Sequence, residues 1–114
     1  MLAASLRQAG HVVLQARDGC QGAELFRVEP ADLVITDILM PGQEGLETIH
    51  VLLRERPGLP VIAISGGSVH SKLYLEMAAT LGAHRVLAKP FSPADLVRAV
   101  EEVLAARPHH DSPP

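Results

Sequence analysis

The 114 residues contain no Trp, and only two Phe and one Tyr. With so few aromatic rings the interior must be built from Leu, Val, Ile and Ala. Cys20 stands alone, which excludes an internal disulfide and fits a reducing cytosol. Basic runs are missing and the net charge is −3, so nucleic-acid binding driven by charge is not expected. No apolar run approaches the roughly 18 residues of a membrane span. The opening Met1-Leu2-Ala3-Ala4-Ser5 has neither the basic start nor the long apolar stretch of a signal peptide. What is there is ordinary for a globular chain: 47% hydrophobic and 20% charged residues, in a length that suits one domain around one core.

Four short apolar runs, Val12–Leu14, Leu33–Ile35, Val61–Ile64 and Val86–Ala88, alternate with segments of helical period. Unbroken runs suit strands covered on both faces of a parallel sheet, and their alternation with helices predicts an α/β fold. The breakers place the helices. Met1–Ala9 ends at Gly10. A second helix starts at Asp18-Gly19, carries Ala23, Leu25 and Phe26, and stops at Pro30. Gly45–Arg56 presents Leu46, Ile49 and Leu53, and Pro57-Gly58 ends it. His70–Leu81 presents Leu73, Met77 and Leu81 before Gly82. The last helix has Ser92 as N-cap, Pro93 in its first turn and Asp95 to complete a capping box. Leu96, Val100, Val103 and Leu104 form its apolar stripe. The stretch 107–114, RPHHDSPP, reads as a disordered tail after a domain over 1–106.

The chemistry gathers where three of the runs end. The second leads to Asp37 and the turn Met40-Pro41-Gly42. The third is followed by Ser65 and Gly66-Gly67, and the fourth by Lys89-Pro90. Open parallel sheets bind ligands outside the carboxyl ends of their strands, so these side chains should converge. A carboxylate can attack phosphorus, a hydroxyl can donate to a phosphoryl oxygen, and an ammonium can neutralise another. Exposed backbone N–H groups at Gly66 suit an anion. Each residue also has a plain reading: a turn-forming Asp, a loop Ser, a solvated edge Lys. It is the three together, at successive strand ends, that point to phosphoryl chemistry.

The stretches DLVITDILMPGQEGLETI, LPVIAISGG and GAHRVLAKPFSPADLVRAV resemble the receiver domain of two-component response regulators over nearly the whole chain. The resemblance implies a flavodoxin-like fold with a parallel sheet. It implies that Asp37 takes a phosphoryl group from a histidine kinase or phosphotransfer protein, with Mg²⁺ held partly by Asp37 and the Leu39 backbone carbonyl. Ser65, Lys89 and the Gly66 backbone would bind the phosphoryl group, and the Lys89–Pro90 bond would be cis. Output would pass to a downstream protein target through contacts of the last two helices and the last strand. The chain would be a cytoplasmic signalling protein and not a turnover enzyme.

The sequence departs from the family in three places. The family's first strand, with its two adjacent acidic Mg²⁺ ligands, would fall before Met1 together with half of the first helix. Mg²⁺ prefers six oxygens, so the chain as given is expected to bind metal weakly and to accept phosphate poorly. Self-association through the gap left by the absent strand is one expectation; a start upstream of Met1 is another. A phosphorylation-independent docking module is the alternative function. Second, Val86 occupies the position of the family's switch aromatic. Third, Leu39 and Gly67 offer no polar side chain to orient a hydrolytic water, which predicts a long-lived phosphoryl group. A phosphatase would want a second acid where Leu39 stands, and a dinucleotide binder would want a glycine fingerprint that is missing. Glu44 is read as a helix cap beside the site, Cys20 as a passive helix residue, His84 as surface and His50 as incidental.

Overall fold

The computed structural model describes residues 2–16, 19–38, 43–66 and 71–106. Strands β1 (Val34–Asp37), β2 (Val61–Ser65) and β3 (Arg85–Ala88) form a parallel sheet in the order β1-β2-β3. Around it lie helices α1 (Leu2–Gln8), α2 (Gly19–Val28), α3 (Gln43–Glu55), α4 (Ser71–Leu81) and α5 (Pro93–Ala105).

The central strand explains the layering. All five residues of β2 are buried, which is why it reads as an unbroken apolar run. Its side chains alternate between two clusters. Val61 and Ala63 join Phe26 of α2, Ile49 and Leu52 of α3 and Ala78 of α4. Ile62 and Ile64 join Leu6 of α1 and Leu96, Ala99, Val100 and Val103 of α5. The sheet is therefore sandwiched between helices, and each fully buried Ile or Val contributes about 1.5–3 kcal/mol relative to exposure.

Local chemistry sets the helix ends. The Ser92 hydroxyl accepts from the Asp95 N–H, and the Asp95 carboxylate accepts from the Ser92 N–H, each at 3.1 Å. That closes the capping box, with Pro93 in the first turn. Gly10 and Gly82 end α1 and α4 with φ of 99° and 118°, a conformation that favours glycine.

Three expectations need correction. Val12–Leu14 does not form a strand: no ladder pairs it among the described residues, and Val12 is 94% exposed. A β-rich run cannot become a strand without a neighbour to satisfy its backbone groups. The stripe Leu73, Met77 and Leu81 on α4 is exposed, and Ala78 is buried in its place. Helical period marks one face, but tertiary packing decides which face is covered. Helix α3 also begins at Gln43, two residues before Gly45. Leu39, Gly67 and the tail 107–114 lie outside the described residues.

Candidate functional site

Parallel register brings the three strand ends to one edge of the sheet. Asp37 pairs with Ile64 across β1 and β2, and Ser65 pairs with Ala88 across β2 and β3. The Lys89 N–H then donates to the Ser65 carbonyl at 2.9 Å, carrying the register one residue past β3. Asp37 and Lys89 thus stand on either side of the end of β2. The Lys89 ammonium reaches across and donates to Asp37 Oδ2 at 3.2 Å. Both side chains remain partly open to solvent, 38% exposed for Asp37 and 44% for Lys89. Water screens such a pair, so its own stabilisation is at most about 1 kcal/mol. Its interest is positional: an accessible carboxylate beside a fixed cation.

Ser65 lies between them and is buried, 2% exposed. Its hydroxyl donates to the Gly66 carbonyl at 3.4 Å, a long bond that costs little to exchange for a better acceptor. The Lys89–Pro90 peptide bond is cis. Val86 packs against the cluster that contains Ile49 and Ala78. Glu44 falls in the first turn of α3.

A residue with a further role emerges behind the carboxylate. A Cβ on Gly45 would stand 2.6 Å from Ile38 Cγ2, 2.7 Å from Ile38 Cα and 2.8 Å from the Asp37 carbonyl oxygen. Helix α3 can approach the end of β1 only because this position has no side chain. A glycine within a helix lowers its stability by up to about 1 kcal/mol relative to alanine. That unfavourable choice was the one signal in the sequence that packing, not propensity, placed it there. His84, read as surface, accepts the Val61 N–H at its Nδ1 at 3.3 Å and so tethers the start of β2. Cys20 is exposed on α2 and His50 is exposed on α3.

The fit to a divalent cation is poor among the described residues. No group of three or more His, Cys, Asp or Glu side chains comes together there. Asp37 is the carboxylate at the strand ends, and one of its oxygens already accepts from Lys89. Mg²⁺ demands about six oxygens in near-octahedral geometry, which this set does not provide. No helix of the described residues is long and apolar enough to cross a membrane.

Comparison with known proteins identifies the family and the fold. The model of the response regulator receiver domain family matches residues 1–101. The transcriptional regulatory protein PdtaR of Mycobacterium tuberculosis is 35% identical over 101 residues, covering 88% of this chain and 48% of that protein. This chain therefore spans about half the length of that relative. Among solved structures, the receiver domain of NtrX from Brucella abortus is similar with a TM-score of 0.84 and 27% identity, over 92% of this chain and 88% of that one. A CheY-like receiver domain protein from Methanospirillum hungatei is similar with a TM-score of 0.80 and 26% identity, over 93% and 83%.

Proposed function

This chain belongs to the response regulator receiver domain family, and from that premise we propose that Asp37 accepts a phosphoryl group and that the resulting change of charge is passed on through protein contacts. Receiver domains are signalling domains, not turnover enzymes. The observation that carries the reading is the Lys89 ammonium 3.2 Å from Asp37 Oδ2 across the end of β2. An Asp37 oxygen attacks phosphorus, the bond from phosphorus to the donor atom breaks, and an acyl phosphate forms. The donor, a phosphohistidine of a kinase or phosphotransfer protein, leaves as imidazole and takes up a proton. Lys89 moves its hydrogen bond from the carboxylate to a phosphoryl oxygen. Ser65 exchanges its long bond to Gly66 for another phosphoryl oxygen, and the Gly66 backbone completes the cradle.

The modification adds about −1.5 to −2 charges at the sheet edge. Ser65 ends β2 and Lys89 directly follows β3, so their movement is transmitted to α4, β3 and α5, where we place the contact with a downstream protein target. We assign the chain to the cytoplasm, where such donors reside. Family members generally bind Mg²⁺ at an acidic site. Here Asp37 and the Leu39 carbonyl would be its ligands, and the poor fit above supports weak binding.

The test is intact mass after incubation with acetyl phosphate and Mg²⁺, with Asp37→Asn alongside. A gain of one phosphoryl group that disappears in the variant supports the reading. The incomplete metal set favours a second reading, a docking module indifferent to phosphorylation. Unmodified chain that remains folded, and partner binding unchanged by Asp37→Asn, would support that alternative.

A further inference from the structure

Helices α3 and α4 lie side by side over β2, on the face of the sheet opposite α5. Between them runs a groove of about 600 Å³. Leu46 of α3 is buried against it, while Leu73, Met77 and Leu81 of α4 line it and remain 53%, 43% and 37% exposed. These three are four residues apart in turn, so they form one row about 12 Å long on a single face of the helix. The margins of the groove are charged. Glu47 on α3 and Glu76 on α4 stand on its two walls, and neither Lys nor Arg lines it among the described residues. Large apolar side chains left open in a row, with charge at the rim, mark a surface that receives a partner.

We propose that this groove binds an amphipathic helix of a partner protein, with the apolar side of that helix seated on Leu73, Met77 and Leu81 and its flanks carrying Lys or Arg against Glu47 and Glu76. A helix presents apolar side chains at the same spacing as the row it meets. Met77 is unbranched and follows the shape of whatever packs on it. The carboxylates decide between occupants. A second copy seated groove to groove would set Glu47 and Glu76 against the same carboxylates, and an acidic helix would meet the same like-charge cost. The groove is also independent of the edges of the sheet. Its walls pack on β1, β2 and β3 from one side, whereas a further strand beside β1 would extend the sheet in its own plane. The surface differs from the α4, β3 and α5 contact proposed above in using α3, and it does not depend on phosphorylation of Asp37.

The test is titration of the full chain with a synthetic helical peptide in which Leu recurs at helical spacing and Lys fills the remaining positions, read by amide chemical shifts and calorimetry. A matching peptide with Glu in place of Lys is the control. The proposal expects saturable binding of the Lys peptide, shift changes concentrated in α3 and α4, and binding of the Glu peptide roughly tenfold weaker. Glu47→Lys with Glu76→Lys, at exposed positions, should invert that preference. Glu24→Lys with Glu29→Lys makes the same change of net charge at other exposed positions and should leave it as it is. A preference that follows net charge whichever pair is changed would overturn the proposal. So would shift changes spread over the whole surface, or no saturable binding; these readouts use the unmodified chain and stand even if a variant folds poorly. A chain that dimerises without peptide and becomes monomeric with Met77→Lys would give the groove to a second copy, and would overturn it too.

Discussion

Individual residues at the strand ends separate function from stability. Lys89 and Asp37 form an exposed ion pair, which is worth at most about 1 kcal/mol. Lys89→Ala should therefore move the urea midpoint little while reducing phosphoryl-dependent binding of a partner; a large loss of stability would show that the lysine is structural. Gly45 behaves oppositely. It makes no chemical contact, but a Cβ there would clash with Ile38 and with the Asp37 carbonyl, atoms that belong mainly to backbone and cannot rotate away. Overpacking of this kind costs about 1–3 kcal/mol. Gly45→Ala should lower the midpoint accordingly and also reduce phosphoryl uptake, because the displaced backbone carries the acceptor. Asp37, Ser65 and Lys89 were legible in the sequence because parallel strands put their carboxyl ends together, and three polar residues at successive ends need no further information. The role of Gly45 left only one trace, an unfavourable glycine inside a helix, since the clash itself depends on how closely α3 approaches β1, which no local pattern encodes.

Elements show where local chemistry suffices and where it does not. The start of α5 is determined within four residues, Ser92 to Asp95, and the capping box formed as its spacing predicts. Ser92→Ala should cost on the order of 1 kcal/mol, read from thermal unfolding. The box also has a pH signature. Hydrogen bonds from the Ser92 backbone first, and from its side chain second, hold the Asp95 carboxyl below its ordinary value of 3.8. A carboxyl lowered in the folded state adds stability that is present above its unfolded value and is lost as pH falls through the folded one. Asp95→Asn should thus be less stable than the unmodified chain at neutral pH, and the gap should close in acid; a gap that stays constant with pH would contradict the assignment. By contrast, Val12–Leu14 has the composition of a strand and does not form one, because pairing is supplied by another segment. The Leu73, Met77 and Leu81 stripe has the same period as the buried stripe of α5, yet the cover it needs is not provided among the described residues. Periodicity identifies an apolar face; only the assembled neighbours decide whether that face is inside.

At the scale of the whole molecule, β2 is the element on which both clusters depend. Ile62 and Ile64 hold α1 and α5 on one face, while Val61 and Ala63 hold α2, α3 and α4 on the other. Ile62→Ala should cost about 2–5 kcal/mol, a large part of the roughly 5–15 kcal/mol that stabilises a domain. Chemical denaturation would detect it, and a loss below about 1 kcal/mol would mean that the two faces are not coupled through this strand. The same strand aligns Asp37, Ser65 and Lys89 through its pairing with β1 and β3, so the core and the site share one frame. The measurement that tests the central claim most directly is borohydride reduction of the phosphorylated chain followed by peptide mapping, since hydride converts an aspartyl phosphate to homoserine. Homoserine should appear at position 37 and nowhere else. Reduction at another carboxylate, or a phosphoryl group that survives borohydride, would contradict it.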